Sequence, residues 1–88
     1  MTVAERIETK LAAALAPTSL RVVDESERHA GHAGAKPGGE SHFRIYIVAD
    51  CFRGKTRLDR HRMVNAVLTD ELSGQVHALA IHAAAPDE

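Results

Sequence analysis

The spacing of apolar residues changes along the chain from helical to alternating and back, and each change delimits an element. Val3, Ile7, Leu11 and Leu15 recur at four-residue intervals, which lines them up on one face of an α-helix. Thr2 followed by Glu5 has capping-box spacing, in which each side chain satisfies a free backbone donor at the helix start, and Pro17 marks the exit. Residues 20–23 are a short run with two β-branched side chains before the polar DESER, which predicts a strand. In HFRIYIVA, residues 42–49, Phe43, Ile45 and Ile47 alternate with His42, Arg44 and Tyr46, the period-two pattern of a half-buried strand. Residues 50–56 hold a glycine turn. From about residue 57 to 72, Leu58, Val64, Leu68 and Leu72 define a second helical stripe, closed by Ser73 and Gly74. Residues 76–81, VHALAI, predict a last strand that His82 closes, and residues 83–88 form a short acidic tail.

The predicted order is therefore α, β, β, α, β. Three strands covered by two helices on one face make a two-layer α+β domain spanning residues 1–88, with the second sheet face left for solvent or a partner. No internal repeat is visible. Residues 25–41 interrupt the pattern, with no apolar side chain larger than alanine, four glycines and a proline. Unstructured connections of this length are uncommon inside compact domains and usually have a job or are disordered.

Composition narrows the function without naming it. Hydrophobic residues make up 44% and charged residues 26%, ordinary globular usage, so the chain is expected to fold on its own. The first helical stripe is interrupted by Glu5, Arg6, Glu8 and Lys10, which excludes a signal-peptide core or a membrane span there and makes a cytoplasmic or organelle-matrix address the expectation. A single cysteine, Cys51, permits no internal disulfide and no thiolate-based structural zinc site, and it is expected as a small buried hydrophobe. The nucleophile-elbow, P-loop, paired-carboxylate and H-E-x-x-H patterns are all missing, so an enzyme is not expected.

What remains is imidazole and basic chemistry. Six histidines are present. His61 lies between Leu58 and Val64, where it packs in the core or at its rim, and His42 and His82 sit at strand ends with ordinary surface roles. His29 and His32, three residues apart in the glycine-rich loop, have no apolar neighbours to pack against; they either titrate freely near ~6.5 or wrap around a ligand. His77 begins the last strand, within reach of what the loop supplies. Two or three histidines without a thiolate or carboxylate nearby make an incomplete metal site, which favours one shared across an interface. Histidine can replace cysteine as a ligand of an iron–sulfur cluster. The second feature is Arg53, Lys55, Arg57, Arg60 and Arg62, five basic residues within ten positions against Asp59 alone, at a helix N-terminus. That local field suits phosphate, or else is a solvated helix face; with Phe43, Tyr46 and Phe52 the only aromatics, a base-stacking platform is weakly supported.

The stretch FRGKTRLDRHRMVNAVLTDEL followed by VHALAI, with ESERHAG at the loop start and ESHFRIYIV opening the strand, resembles the BolA family over nearly the whole chain. The resemblance implies an αββαβ domain similar to class II KH domains, with an extra short helical turn near residues 54–57. The GxxG loop by which KH domains grip nucleic acid is not found in residues 50–56, the turn that leads into the main helix. It further implies a monothiol glutaredoxin as partner, whose cysteine and bound glutathione hold a [2Fe–2S] cluster to which the BolA-like protein adds histidine; no cofactor is expected on the isolated chain. The family's last-strand histidine falls on His77, and its loop ligand falls on His29 by distance from Glu25 and Ser26, with His32 the alternative. Some family members are transcriptional regulators that bind DNA, and Arg53, Lys55, Arg57, Arg60 and Arg62 are where this chain would do so.

Overall fold

A computed structural model describes residues 2–25, 42–74, 76 and 78–88. The elements are α1 (Val3–Leu15), β1 (Ser19–Asp24), β2 (His42–Val48), a 3-10 turn (Asp50–Phe52), α2 (Arg57–Val67), α3 (Thr69–Ser73) and β3 (Ala78–Ala84). The sheet order is β1-β2-β3; β1 runs antiparallel to β2 and β3 parallel to it, so the predicted αββαβ order closes into a mixed three-stranded sheet.

The first helix starts where its cap dictates. Thr2 Oγ1 accepts from the Glu5 amide at 3.1 Å while Glu5 Oε1 accepts from the Thr2 amide at 3.3 Å, a complete capping box. Val3, Ile7 and Leu11 are buried against the sheet. On the sheet's inner face Phe43, Ile45 and Ile47 of β2 stand beside Leu79, Ile81 and Ala83 of β3 and beside Val22 and Leu20 of β1. Val64, Leu68 and Phe52 close the same core. All of the α1, α2 and β2 core residues belong to one cluster, so both helices cover a single face. The other face carries Arg21, Arg44, Tyr46 and His82.

The structure departs from the sequence expectation at four points. The main helix is not continuous from 57 to 72: it stops at Val67 and restarts at Thr69, where the Thr69 hydroxyl donates back to the Ala66 carbonyl at 3.0 Å and competes with the helical ladder. Leu58, placed on the apolar stripe, is 58% exposed, because six positions at 3.6 residues per turn put it about 120° away from Val64; Met63 and Val67 pack on the core instead. The extra turn falls at Asp50–Phe52 rather than at 54–57. The last strand runs to Ala84, so His82 lies inside it and the tail begins at Ala85. Of the long connection expected over 25–41, only Glu25 is among the described residues.

Candidate functional site

Strand direction decides which parts of the chain meet. Because β1 is antiparallel to β2 and β3 parallel to it, the end of β1 and the starts of β2 and β3 lie at one end of the sheet. There the Glu25 amide donates to the His42 carbonyl at 2.8 Å, and His42 is the register partner of Ala78. Glu25, His42, Arg44, Ala78 and Ala80 border a shallow pocket of about 390 Å³. Arg44 Nε donates to Glu25 Oε1 at 3.1 Å, and that hydrogen bond, with the attraction of the carboxylate, raises the guanidinium pKa. His29, His32 and His77 lie outside the described residues; Glu25, His42 and Ala78 are their nearest described anchors. Among the described residues there is no group of three or more His, Cys, Asp and Glu able to hold a metal ion.

The basic stretch is at the other end of β3. Arg60 forks onto Glu88, with Nη1–Oε1 at 2.5 Å and Nη2–Oε2 at 2.6 Å, and also donates to the Ala83 and Lys55 carbonyls. The hydrogen bonds from Arg60, and then from the Ala85 amide, hold the Glu88 carboxyl down to about 2. Arg53 is bound by Asp50 at 2.9 Å and by Asp87 at 2.6 Å. The short acidic tail therefore occupies two of the five cations. Lys55, Arg57 and Arg62 have no ion pair among the described residues and are exposed.

Residues 11–88 match the family model of BolA-like proteins. The chain belongs to the BolA-like family. It is 52% identical over 82 residues to the DNA-binding transcriptional regulator BolA of Escherichia coli strain K12, covering 93% of this chain and 74% of that protein. It is 49% identical over 80 residues to human BolA-like protein 1, covering 91% of this chain but 56% of the human one. Among solved structures, BolA1 from Arabidopsis thaliana aligns with a TM-score of 0.87 at 35% identity over 100% of this chain and 96% of that one. The BolA domain of SufE1 from Arabidopsis thaliana aligns at 0.84 and 44% identity, over 96% and 92%. The αββαβ architecture is thus the BolA fold, and BolA-like proteins are not enzymes.

Within this BolA fold the remaining histidines and the cysteine take definite places. His61 is half-buried at the rim of the core, as its position on α2 predicts. His82 is exposed on the open sheet face, stacked on Tyr46 with ring centroids 4.8 Å apart. Cys51 is not buried: Phe52 takes the inward position of the 3-10 turn and leaves Cys51 exposed, its Sγ 3.8 Å from the Leu15 carbonyl. Glu71, which sequence reading did not single out, is the buried polar residue of the described core, and its nearest signal was only its place two residues before a helix stop. Among the described residues no helix is long and apolar enough to cross a membrane.

Proposed function

We propose that this protein is a cytoplasmic iron–sulfur interaction module. It would supply His77 and a loop histidine, His29 or His32, to a [2Fe–2S] cluster held by the cysteine and glutathione of a monothiol glutaredoxin, in cluster trafficking or iron sensing. The observation that carries the reading is the meeting of three backbone anchors, since Glu25 is hydrogen-bonded to His42 and His42 is in register with Ala78. His77 adjoins Ala78, and His29 is four residues beyond Glu25, so at ~3.3–3.6 Å per residue it stays within about 14 Å of that anchor. His32 has the longer tether, about 25 Å by the same reach. A neutral imidazole pair without a thiolate suits half of a shared cluster site, the thiolate coming from the partner.

Ligation needs unprotonated imidazole, so the complex is expected to weaken as pH falls through the ordinary histidine range near ~6.5. The test is to mix the protein with a cluster-loaded monothiol glutaredoxin and record visible absorption and circular dichroism. The spectrum should change with the wild-type chain and not with His77→Ala, while His29→Ala and His32→Ala in parallel identify the loop ligand. An unchanged spectrum, or the same change with His77→Ala, overturns the reading.

A second reading, a DNA-binding regulator, is favoured by the name of the Escherichia coli relative. Lys55, Arg57 and Arg62 would carry it, since Arg53 and Arg60 are engaged by Asp87 and Glu88. Affinity for duplex DNA should then fall steeply with salt, and no binding at low salt rejects it.

A further inference from the structure

We propose that the cleft between the free edge of β3 and the first turn of α2 binds a small ligand that joins a planar heteroaromatic ring to a phosphate, the chemistry of a nucleotide. This site lies at the opposite end of β3 from the anchors of the histidine site and does not depend on the iron–sulfur reading.

The ring half of the argument starts from strand register. Arg21, Tyr46 and His82 are paired across β1, β2 and β3, so their side chains stand in a row on the open sheet face. The guanidinium carbon of Arg21 is 5.9 Å from the Tyr46 ring centroid, and the Tyr46 and His82 rings lie 4.8 Å apart and 10° from parallel. The result is a three-tier stack of flat groups. Among the described residues β3 is an edge strand, so the stack ends at His82. Arg44 Nη1 lies 3.2 Å from His82 Nε2. A guanidinium can only donate, so this contact makes Nε2 the acceptor and holds the ring in a fixed plane.

Beyond His82 the edge opens into a pocket of about 580 Å³, within the range of small-molecule sites, ~300–1,000 Å³. Its lining is largely apolar where β2 and β3 border it, with Ile47, Val48, Ile81, Ala83 and Ala84. Lys55 and Arg57 also line it, and none of the described lining residues is a carboxylate. Arg60 also borders the pocket, but its guanidinium is taken by Glu88 and the Ala83 carbonyl, which leaves Lys55 and Arg57 as the cations without an ion pair among the described residues. Arg57 opens α2, and Thr56 Oγ1 satisfies only the Asp59 amide, so the first backbone donors of the helix add to the same positive lining. His82, Lys55 and Arg57 line this one pocket, so a flat ring set against His82 would hold an attached phosphate in the same space as the two cations.

The experiment is a two-dimensional 1H–15N NMR titration of the full chain with ADP, adenosine, inorganic phosphate and a short DNA duplex. ADP is expected to give saturable shifts confined to residues 46–48, 55–61 and 81–84, with adenosine and phosphate each at least about tenfold weaker. Lys55→Gln with Arg57→Gln should weaken ADP binding about tenfold or more, and His82→Ala should weaken ADP about fivefold while leaving phosphate unchanged. All three side chains are exposed, so unchanged peak dispersion elsewhere verifies the fold. No saturable shift at about 10 mM ADP overturns the proposal, as does ADP binding indifferent to His82→Ala. Shifts at Lys55 and Arg57 with duplex alone also overturn it and assign those cations to DNA; duplex binding alongside the His82-dependent ADP site leaves the proposal standing. The glutaredoxin spectral change, read at His77, should be indifferent to the Lys55 and Arg57 substitutions, so failure of either reading is visible separately.

Discussion

Glu71 is a carboxylate whose side chain is only 3% exposed, and it survives as a charge because Lys10 reaches it from α1. Lys10 Nζ sits 2.8 and 3.0 Å from its two oxygens, and Arg6 Nε approaches within 3.5 Å. Burial pushes its pKa up most strongly, but the Lys10 hydrogen bond, a backbone hydrogen bond and the charges of Lys10 and Arg6 together outweigh it, so the net shift is downward. A carboxyl with a folded pKa below its unfolded one contributes stability that is complete above the ordinary carboxylate range and is lost as pH falls through the folded value. Glu71→Gln is accordingly expected to cost about 1–3 kcal/mol at pH 7 and progressively less in acid, measured by urea denaturation at several pH values. Glu88 follows the same sign: Arg60 holds its carboxyl down to about 2, and protonation there releases the tail, visible as loss of protection at Ala85 and Glu88. Phe52→Ala at the fully buried end of the 3-10 turn should cost about 3–5 kcal/mol by the same urea measurement. The capping box and the inward Phe43, Ile45 and Ile47 are legible in the sequence because each depends on neighbours within a few positions. Glu71 and the exposure of Cys51 are not, because each is decided by an element distant in sequence, α1 for one and the packing of Phe52 for the other.

The helices and turns show where local preference yields to packing. α1 ends on Ala16 with φ 46°, a left-handed conformation that costs a Cβ-bearing residue, while the turn before α2 uses Gly54 at φ 75°. The two positions predict opposite effects. Ala16→Gly should gain about 0.5–1 kcal/mol by relieving the cap, and Gly54→Ala should lose about 1–2 kcal/mol although nothing stands within 4 Å of the added Cβ, both read as shifts in thermal midpoint. The interruption after Val67 is invisible to apolar periodicity, since Leu68 and Leu72 keep pointing inward across it. Only the back-bonding of Thr69 marks the break, and a threonine in that position is equally compatible with an unbroken helix.

The whole molecule separates two chemistries along the sheet, with the histidine anchors at the start of β2 and β3 and the basic cleft at the far end of β3. Its electrostatics are not the sum of its residues. The net charge is −1, yet the acidic tail pairs with Arg53 and Arg60 and leaves Lys55, Arg57 and Arg62 as the cations of residues 53–62 without an ion pair among the described residues. Substituting Asp87→Asn and Glu88→Gln removes two negative charges, taking −1 to +1, and frees Arg60 from its carboxylate, while Arg53 keeps Asp50. In the DNA-binding reading this variant should bind duplex more tightly than wild type, with a salt slope steeper by up to about 2, checked by anisotropy titrations at two salt concentrations.

By itself the sequence determined the αββαβ order, the inward faces of α1 and β2, and the residue types on offer, because periodicity and capping are short-range properties written in adjacent positions. The tertiary structure alone decided the mixed strand directions, the meeting of Glu25, His42 and Ala78 at one end, the Arg21–Tyr46–His82 row and the capture of Arg53 and Arg60 by the tail. Each of these joins residues that are far apart in the chain, some of them more than sixty positions. Which of those pairs meet depends on strand register and the route of the β2-to-β3 crossover, and neither is encoded by any local pattern.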